Sequence, residues 1–365
     1  MKITNSRLLK YRLNCLRPLP AGKERLSERI GLIVVLTDEN GKSGLGEAAP
    51  LPGFSSETIT TVQAQLSALC QSLKGTEIPP DIERLSDGFE RWLHEYDPAP
   101  SARFAIETAV LNLVAAGRGL PLRRLFSDNA LDSVSICGLL AGSRSDILKK
   151  AALLKDEGYR AMKLKVGHRS LEEDIKLTHD VRKAIGDDVA FRLDANRAWS
   201  VEEVLVFARE VRDCRIAYIE EPVYRHELTN SIINKTNLFV GLDESLRELT
   251  PESLKDMTWV RAIVLKPTLL GLWRCMQFAR VAVSMGIVSV VSSSFESGVG
   301  LMALAELAAC LNSDDTPAGL DTLDRFEHDL LVNPLDITGG RLLLPGRVLH
   351  PDDLRHDLLQ EIRCA

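Results

Sequence analysis

The chain has 365 residues, 45% of them hydrophobic and 26% charged, and its 51 Asp and Glu against 45 Lys and Arg give a net charge of −6. That length implies about two domains of roughly 150 residues and a core large enough to need no disulfide or structural metal, while the acidic balance speaks against a polyanion-coating protein, so no nucleic-acid partner is expected. No apolar run approaches the roughly 20 residues of a membrane span, Met1 to Ser6 lack the apolar stretch of a secretory signal, and seven scattered cysteines, Cys364 among them, odd in number and without a CxxC pair, fit a reduced cytoplasm with no membrane partner.

Lys2 to Asn14 and Gly31 to Thr37 read as strands, and Asp38-Glu39-Asn40-Gly41 reads as a turn carrying the Asn-Gly hairpin signal, so the chain opens with an antiparallel meander. Ser56 to Leu73 and Ser101 to Ala116 have helical spacing, punctuated by Pro79-Pro80 and Pro98-Ala99-Pro100. The pattern predicts an α+β unit over 1–130. From about Ser133, short β-like runs alternate with amphipathic helical stretches. Strand ends fall near Cys137, Lys165, Asp194, Glu220, Asp243, Lys266 and Ser292, with a weaker one near Asp321. From Lys165 onward the intervals are 29, 26, 23, 23 and 26 residues, the length of one βα unit. Repeated βα units require crossover helices and hence a parallel sheet. Seven or eight in succession predict a closed (β/α) barrel over 131–325. No GxGxxG turn follows the first strand, which disfavours a nucleotide-dependent oxidoreductase. The irregular stretch 326–365, with Pro334, Gly339-Gly340 and Pro345, is expected to fold back onto the first unit.

Reactive groups of such a barrel gather at the C-terminal ends of its strands. Strand two ends Lys163-Leu164-Lys165, strand three Arg192-Leu193-Asp194-Ala195-Asn196, strand four Glu220-Glu221-Pro222, strand five Asp243-Glu244-Ser245 and strand six Lys266-Pro267. A period of two puts Lys163 with Lys165, and Arg192 with Asp194, inside the barrel, and turns Leu164 and Leu193 to the helices. Charge inside a barrel is costly unless paired or bound to an ion. Asp194, Glu220 and Asp243 converge from three adjacent strands, an oxygen set that suits Mg²⁺. Without His or Cys among them, Zn²⁺ does not fit. Strands two and six lie four apart in a barrel of eight, so Lys165 and Lys266 face each other across the metal. That arrangement suits abstraction of a proton next to a carboxylate. The metal holds the substrate carboxylate and stabilises the enediolate, and burial beside a cation lets a lysine give up its proton. A single Asp at a strand end is more often a helix N-cap, and a single Lys more often a solvated charge. The succession over five consecutive strands is what points to chemistry. Asp188, Glu221 and Glu244 are read as structural or supporting.

This strand-end set resembles the enolase superfamily, in its muconate-lactonising subgroup, over nearly the whole chain. Further segments are similar to the o-succinylbenzoate synthase family of the menaquinone pathway. Gly44-Leu45-Gly46-Glu47-Ala48-Ala49-Pro50-Leu51-Pro52-Gly53-Phe54-Ser55 is similar to its capping-domain loop, and Ala318 to Asp324 to its last barrel strand. Arg192, Ala198-Trp199 and the strand-seven loop Ser292 to Gly298 match it as well, while the chain is longer than many members around 75–100. The resemblance implies an enolase-like α/β fold, a (β/α)7β TIM-like barrel with an α+β capping domain. It implies an Mg²⁺-dependent lyase that dehydrates 2-succinyl-6-hydroxy-2,4-cyclohexadiene-1-carboxylate to o-succinylbenzoate. In the same terms, Asp194, Glu220 and Asp243 bind Mg²⁺. Lys165 takes the α-proton and returns it to the departing hydroxide on the same face, and Lys163 tunes Lys165 by like-charge repulsion. Lys266 stabilises the anion from the opposite face. Arg192 orients the site, and Ser292 and Ser293 face the substrate. The partner is a small-molecule carboxylate, attracted locally by metal and lysines because the protein is net acidic.

Two other readings stand beside this one. An N-acylamino acid racemase or dipeptide epimerase needs two lysines on opposite faces, and Lys165 with Lys266 supplies them. A non-catalytic barrel would be expected to have lost a ligand or a lysine, and none is lost. The Gly- and Pro-rich Gly44 to Ser55 segment, too irregular for an element interior, is expected to cover the barrel mouth.

Overall fold

A computed structural model describes residues 1–362 apart from 22–23, 83–87, 237 and 312–315. Cys364 therefore lies outside the described residues, and no disulfide joins the six described cysteines. The chain opens with two long antiparallel strands, β1 (Ile3–Ala21) and β2 (Glu24–Asp38), paired from Ile3↔Asp38 to Ala21↔Glu24 with register shifts between Ile3 and Asn5 and between Asn14 and Leu19. Both exceed the sequence expectation. Beyond Asn14, β1 runs past the residues paired on its other side, and such an edge tolerates Pro18 and Pro20, which have no N–H. The Asp38 carboxylate closes the predicted turn by accepting from the N–H of Asn40 at 2.9 Å and Lys42 at 2.8 Å.

A third strand, β3 (Ser43–Ala48), pairs with β2 where an irregular covering segment was expected. Its glycines are there for close packing. A Cβ on Gly44 would meet the Ala109 carbonyl at 2.1 Å, and one on Gly46 the Ala105 carbonyl at 1.9 Å. Only a glycine-bearing strand can lie that close to a helix. Beside it run α1 (Ile59–Leu73), capped by the Thr58 hydroxyl, α2 (Gly88–Leu93) and α3 (Pro100–Arg118), which starts on a proline and stops at Gly119 in the left-handed conformation.

After a short strand β4 (Ser133–Ser135) comes a parallel sheet of seven strands in sequential order. It runs β5 (Cys137–Leu140), α4 (Arg144–Asp156), β6 (Ala161–Lys165), α5 (Leu171–Ile185), β7 (Ala190–Asp194), α6 (Val201–Glu210), β8 (Ile216–Glu220), α7 (Thr229–Ile233), β9 (Val240–Leu242), β10 (Val260–Leu265), α8 (Pro267–Leu270), α9 (Leu272–Ser284), β11 (Val288–Val291) and α10 (Gly298–Leu311). Sequence order and space order agree, as short right-handed crossovers require. The sheet's two ends are brought together by Ala318, which bridges Ile136, and Gly319, which bridges Ser292. One crossover departs from the expectation: between β9 and β10 the chain forms only 3₁₀ turns, at Glu244–Arg247 and Pro251–Asp256, because the connection is short and Pro251 interrupts it.

The C-terminal stretch divides its contacts. Strand β12 (Ile337–Thr338) pairs with β13 (Arg341–Leu343), which pairs with β4 beside the first barrel strand, whereas β14 (Leu359–Ile362) adds to β1. It packs on both units rather than on the first alone. Among the described residues, no helix is long and apolar enough to cross a membrane.

Candidate active site

The alternation inside the barrel follows the predicted period. Leu164, Leu193 and Ile219 pack in the same apolar core as Leu177, Val181, Val204 and Phe207 of α5 and α6, so their neighbours face the lumen. Registers align the polar ends in a row: Lys165 beside Asp194, Asp194 beside Glu220, and Glu220 beside Gly241, two residues before Asp243. Lys165 and Lys266 flank this row on β6 and just after β10.

Each carboxylate is met by lysine. Lys165 Nζ stands 2.8 Å from Asp194 Oδ2 and donates to Asn196 Oδ1 at 2.7 Å. Lys163 Nζ donates to Glu220 Oε2 at 2.8 Å and lies 3.5 Å from Asp194 Oδ2. Lys266 Nζ donates to Asp243 Oδ2. Asp194 and Glu220 are each 1% exposed, so these charges act through little solvent. Burial works against the charged form of Asp194, but Lys165, Lys163 and Lys266 outweigh it and hold its carboxyl below the usual range. Burial dominates at Glu220, reinforced by the Asp194 and Asp243 charges and opposed by Lys163, and pushes its carboxyl up to about 7. Burial likewise disfavours charge on Lys163 and Lys266, yet the carboxylates around them prevail and raise both above the usual lysine value.

These residues fit a hard dication in chemistry. Among the described residues, no three acidic, His or Cys side chains are drawn together tightly enough to hold an ion as they stand, since each carboxylate is turned to a lysine. Asp194 Oδ2, however, is fully buried with ion pairs but no well-formed hydrogen bond, and Glu244 Oε2 is buried without a partner. Such orphaned anionic oxygens in a polar lumen are the valence an oxygen-loving cation takes up.

Glu221, read from the sequence as structural or supporting, and Asn196 and Gly167, which that reading gave no role, stand beside the row. Glu221 accepts from the backbone N–H of Asp243 and of Ser245, both at 2.8 Å, from the Ser245 hydroxyl and from Arg197, so its carboxylate sets the position of Asp243. Asn196, in left-handed conformation at φ 44°, accepts from Lys165 and donates to Glu244 at 3.0 Å. The D-x-N spacing and the doubled Glu were the available signals. Gly167, just past Lys165, has φ 82°, and a Cβ there would meet Ala198 at 2.5 Å.

The structure places the three predicted substrate-binding residues, Arg192, Ser292 and Ser293, at different depths and on different sides of the barrel wall. Arg192 is two residues deeper than Asp194. Its guanidinium donates to the Pro317 carbonyl at 2.8 Å and lies 5.4 Å over the Tyr218 ring, so it supports the barrel interior beneath the site. Register pairs Leu265 with Val291, which sets Ser292 beside Lys266 on the lumen side and turns Ser293 outward. Ser293 bonds Glu296 at 2.7 Å and Thr322 at 2.9 Å. The Ser292 hydroxyl donates to the Gly319 carbonyl at 3.3 Å. Ser294, in the bend that follows, carries a buried hydroxyl with no hydrogen-bond partner.

Comparison with known proteins decides the lineage. Residues 146–348 match the family described as "Enolase C-terminal domain-like", and residues 3–113 match "MenC, N-terminal domain". An o-succinylbenzoate synthase from Haemophilus influenzae is 34% identical over 84% of this chain and 86% of its own length. The chain belongs to the o-succinylbenzoate synthase family, within the enolase superfamily. The Arabidopsis thaliana protein PHYLLO is 30% identical over 85% of this chain, which spans 20% of that relative's length. Among solved structures, a dipeptide epimerase from Enterococcus faecalis complexed with Mg and the dipeptide L-Leu-L-Tyr superposes with a TM-score of 0.84, covering 95% of this chain and 98% of its own at 24% identity, a likeness of fold.

Proposed function

We propose that this protein is a Mg²⁺-dependent carbon–oxygen lyase, dehydrating 2-succinyl-6-hydroxy-2,4-cyclohexadiene-1-carboxylate to o-succinylbenzoate in menaquinone biosynthesis. The observation that carries the reading is a pair of lysines, Lys165 and Lys266, on the two flanks of one row of buried carboxylates in a chain of this family. In this reading residues 1–130 cap a (β/α)7β barrel of residues 131–325, with Ala318 and Gly319 as its eighth strand, and 326–365 pack on both. The enzyme works in the cytoplasm, with its cysteines reduced.

Asp194, Glu220 and Asp243 would hold the metal. A bound Mg²⁺ would fix the substrate carboxylate and stabilise negative charge developing beside it. Lys165 removes the proton from the carboxylate-bearing carbon. The C–O bond of the ring hydroxyl then breaks, the Lys165 ammonium returns the proton to the departing hydroxide, and water leaves an aromatic ring. One lysine suffices because proton and hydroxyl depart from one face. Asn196 aims Lys165. Lys266 stays protonated among carboxylates and offsets the anion from the opposite face, and Lys163 keeps positive charge beneath Lys165.

The test is dehydration by purified protein with Mg²⁺, followed by solvent-deuterium exchange into substrate for Lys165→Ala and Lys266→Ala. The lysine pair also favours a second reading, an N-acylamino acid racemase or dipeptide epimerase. If each lysine variant lost exchange with one enantiomer of an N-acylamino acid only, proton transfer would be two-sided, and a racemase, alone or beside the lyase, would replace the one-lysine scheme.

A further inference from the structure

The residue that ties the cap to the barrel mouth is not at the metal site. Arg29, on β2, is 1% exposed. Its hydrogen bonds all go to backbone carbonyls, from two segments far apart in sequence. Nη1 donates to Pro50 at 2.6 Å and Nη2 to Ala49, in the segment that leaves β3. Nε donates to Phe295 at 3.0 Å and Nη2 also to Ser294 at 3.2 Å, in the loop that leaves β11. Burying a guanidinium is expensive, and four charge-assisted bonds to fixed carbonyls offset that cost only if both segments are held still. The planar fork matches this acceptor set; the single ammonium of a lysine does not.

The far end of the same segment is held too. Arg247, in the turn after β9, donates to the Phe54 carbonyl. Residues 49–55 are thus strapped between the loop after β11 and the turn after β9, and the strand between those two is β10, which leads into Lys266. Inside the strap the Phe54 and Ser55 N–H groups close on the Leu51 carbonyl, at 3.0 and 2.8 Å. On the barrel side, Phe295 is fixed in the left-handed region at φ 61°, a conformation a bulky residue holds only under constraint. Its neighbour Ser294 presents the buried hydroxyl that lacks a partner.

We propose that Arg29 is a positioning residue for the reaction, fixing residues 49–55 and the Ser294–Phe295 turn against each other over the Lys266 side of the barrel mouth. The proposal rests on the lyase reading for the identity of the ligand, and the strap itself is testable without it. Proton transfer by Lys165 and the carboxylate row lie on β6 to β9, away from this joint. Loss of Arg29 therefore acts on substrate retention more than on chemistry.

The experiment uses the full chain with Mg²⁺ and the variants Arg29→Lys and Arg29→Ala. For Arg29→Lys, KM rises about tenfold while kcat stays within about threefold, and the dissociation constant for o-succinylbenzoate, read by calorimetry, rises in parallel. Added guanidinium ion partly restores Arg29→Ala, as it would not if the side chain merely filled space. Folded variants with wild-type KM and product affinity overturn the proposal. If neither variant folds, Arg247→Ala, at an exposed position, must show the same signature at about threefold in KM, and an unchanged KM overturns it. Should the wild-type protein neither dehydrate the substrate nor bind the product, the lyase reading fails by itself. Amide exchange at Phe54 and Ser55, which Arg29→Lys or Arg247→Ala must accelerate, then decides the strap, and unchanged exchange in both overturns it.

Discussion

Two clusters of buried charge in this molecule are satisfied in opposite ways. At the barrel mouth, Asp194, Glu220 and Asp243 are balanced by the side chains of Lys165, Lys163 and Lys266, and Asp194 Oδ2 is left without a hydrogen bond. At the cap–barrel joint, charge is saturated largely by rigid neighbours. The Glu47 carboxylate accepts from the Tyr11 hydroxyl, the Ser297 N–H and hydroxyl and the Gly300 N–H at the start of α10. Arg29 is spent entirely on carbonyls. Long side chains can rotate away and exchange protons, whereas backbone groups cannot. Buried charge held by mobile partners is therefore available for chemistry, and buried charge held by backbone is architecture.

Chelation is the strongest way to break that contrast. EDTA should abolish dehydration and Mg²⁺ restore it with little change in thermal stability, and full activity in metal-free protein would sink the assignment of the carboxylate row. Next in size, Lys165→Ala should lower turnover by ~10³-fold or more, because one group serves as both base and acid. Its thermal midpoint should stay near wild type, since Lys165 is joined only to side chains that can repair elsewhere. A steep loss of stability would place it with the architectural charges.

At the joint the sign reverses. Glu47→Ala strands the Tyr11 hydroxyl and the Ser297 and Gly300 N–H groups, at about 1–3 kcal/mol for each buried unpaired group. Denaturant unfolding should show a loss of about 3 kcal/mol or more, and a loss under ~1 kcal/mol would show that the joint tolerates unpaired donors. Glu107 of α3 gives a smaller, pH-dependent signature. It accepts from the Trp273 N–H at 3.1 Å, its Oε1 has no hydrogen bond, and burial, opposed by Arg103 and the α9 backbone, pushes its carboxyl up to about 7. An unfolded glutamate titrates near ~4.3. Between those values the folded state holds more protons than the unfolded one, so this group's contribution to stability declines as pH rises from about 4.5 to 7. Glu107→Gln should flatten that decline, on the order of 2 kcal/mol, in unfolding curves at pH 5 and 7.5, and an unchanged slope refutes it. The smallest expected effect sits between the two classes. Glu221→Gln removes the carboxylate that accepts from the Asp243 N–H and should weaken Mg²⁺ affinity by about tenfold with the fold intact, measured by metal titration. Wild-type affinity would make Glu221 purely architectural.

Much of the site was legible because it obeys a period. Lys163 with Lys165 and Arg192 with Asp194 follow from strand alternation, and the row of carboxylates from the βα interval, both properties of the chain's local geometry. Legibility failed where a residue's meaning came from a distant neighbour. Gly44-Leu45-Gly46-Glu47 reads as a loop by composition, yet it is a strand whose glycines exist for α3 and whose glutamate exists for α10. Ser292, Ser293 and Ser294 are indistinguishable in sequence. The sides of the barrel taken by Ser292 and Ser293, and the fact that Ser294 alone among the three keeps an unpartnered hydroxyl, depend on the β10–β11 register and on Glu296 and Thr322. Arg192, which the family resemblance offered as a site residue, sits at the level of Lys163, and its contact with the Pro317 carbonyl joins segments 125 residues apart.

The sequence by itself determined the lumen charges, their strands and their order, because a two-residue alternation and a repeating βα length are written locally in the chain. Tertiary structure alone decided which lysine meets which carboxylate, which glutamate holds Asp243 in place, and that a fully buried arginine straps the cap to the loop beside Lys266, because each of those depends on the distance between segments up to 266 residues apart, which no local pattern encodes.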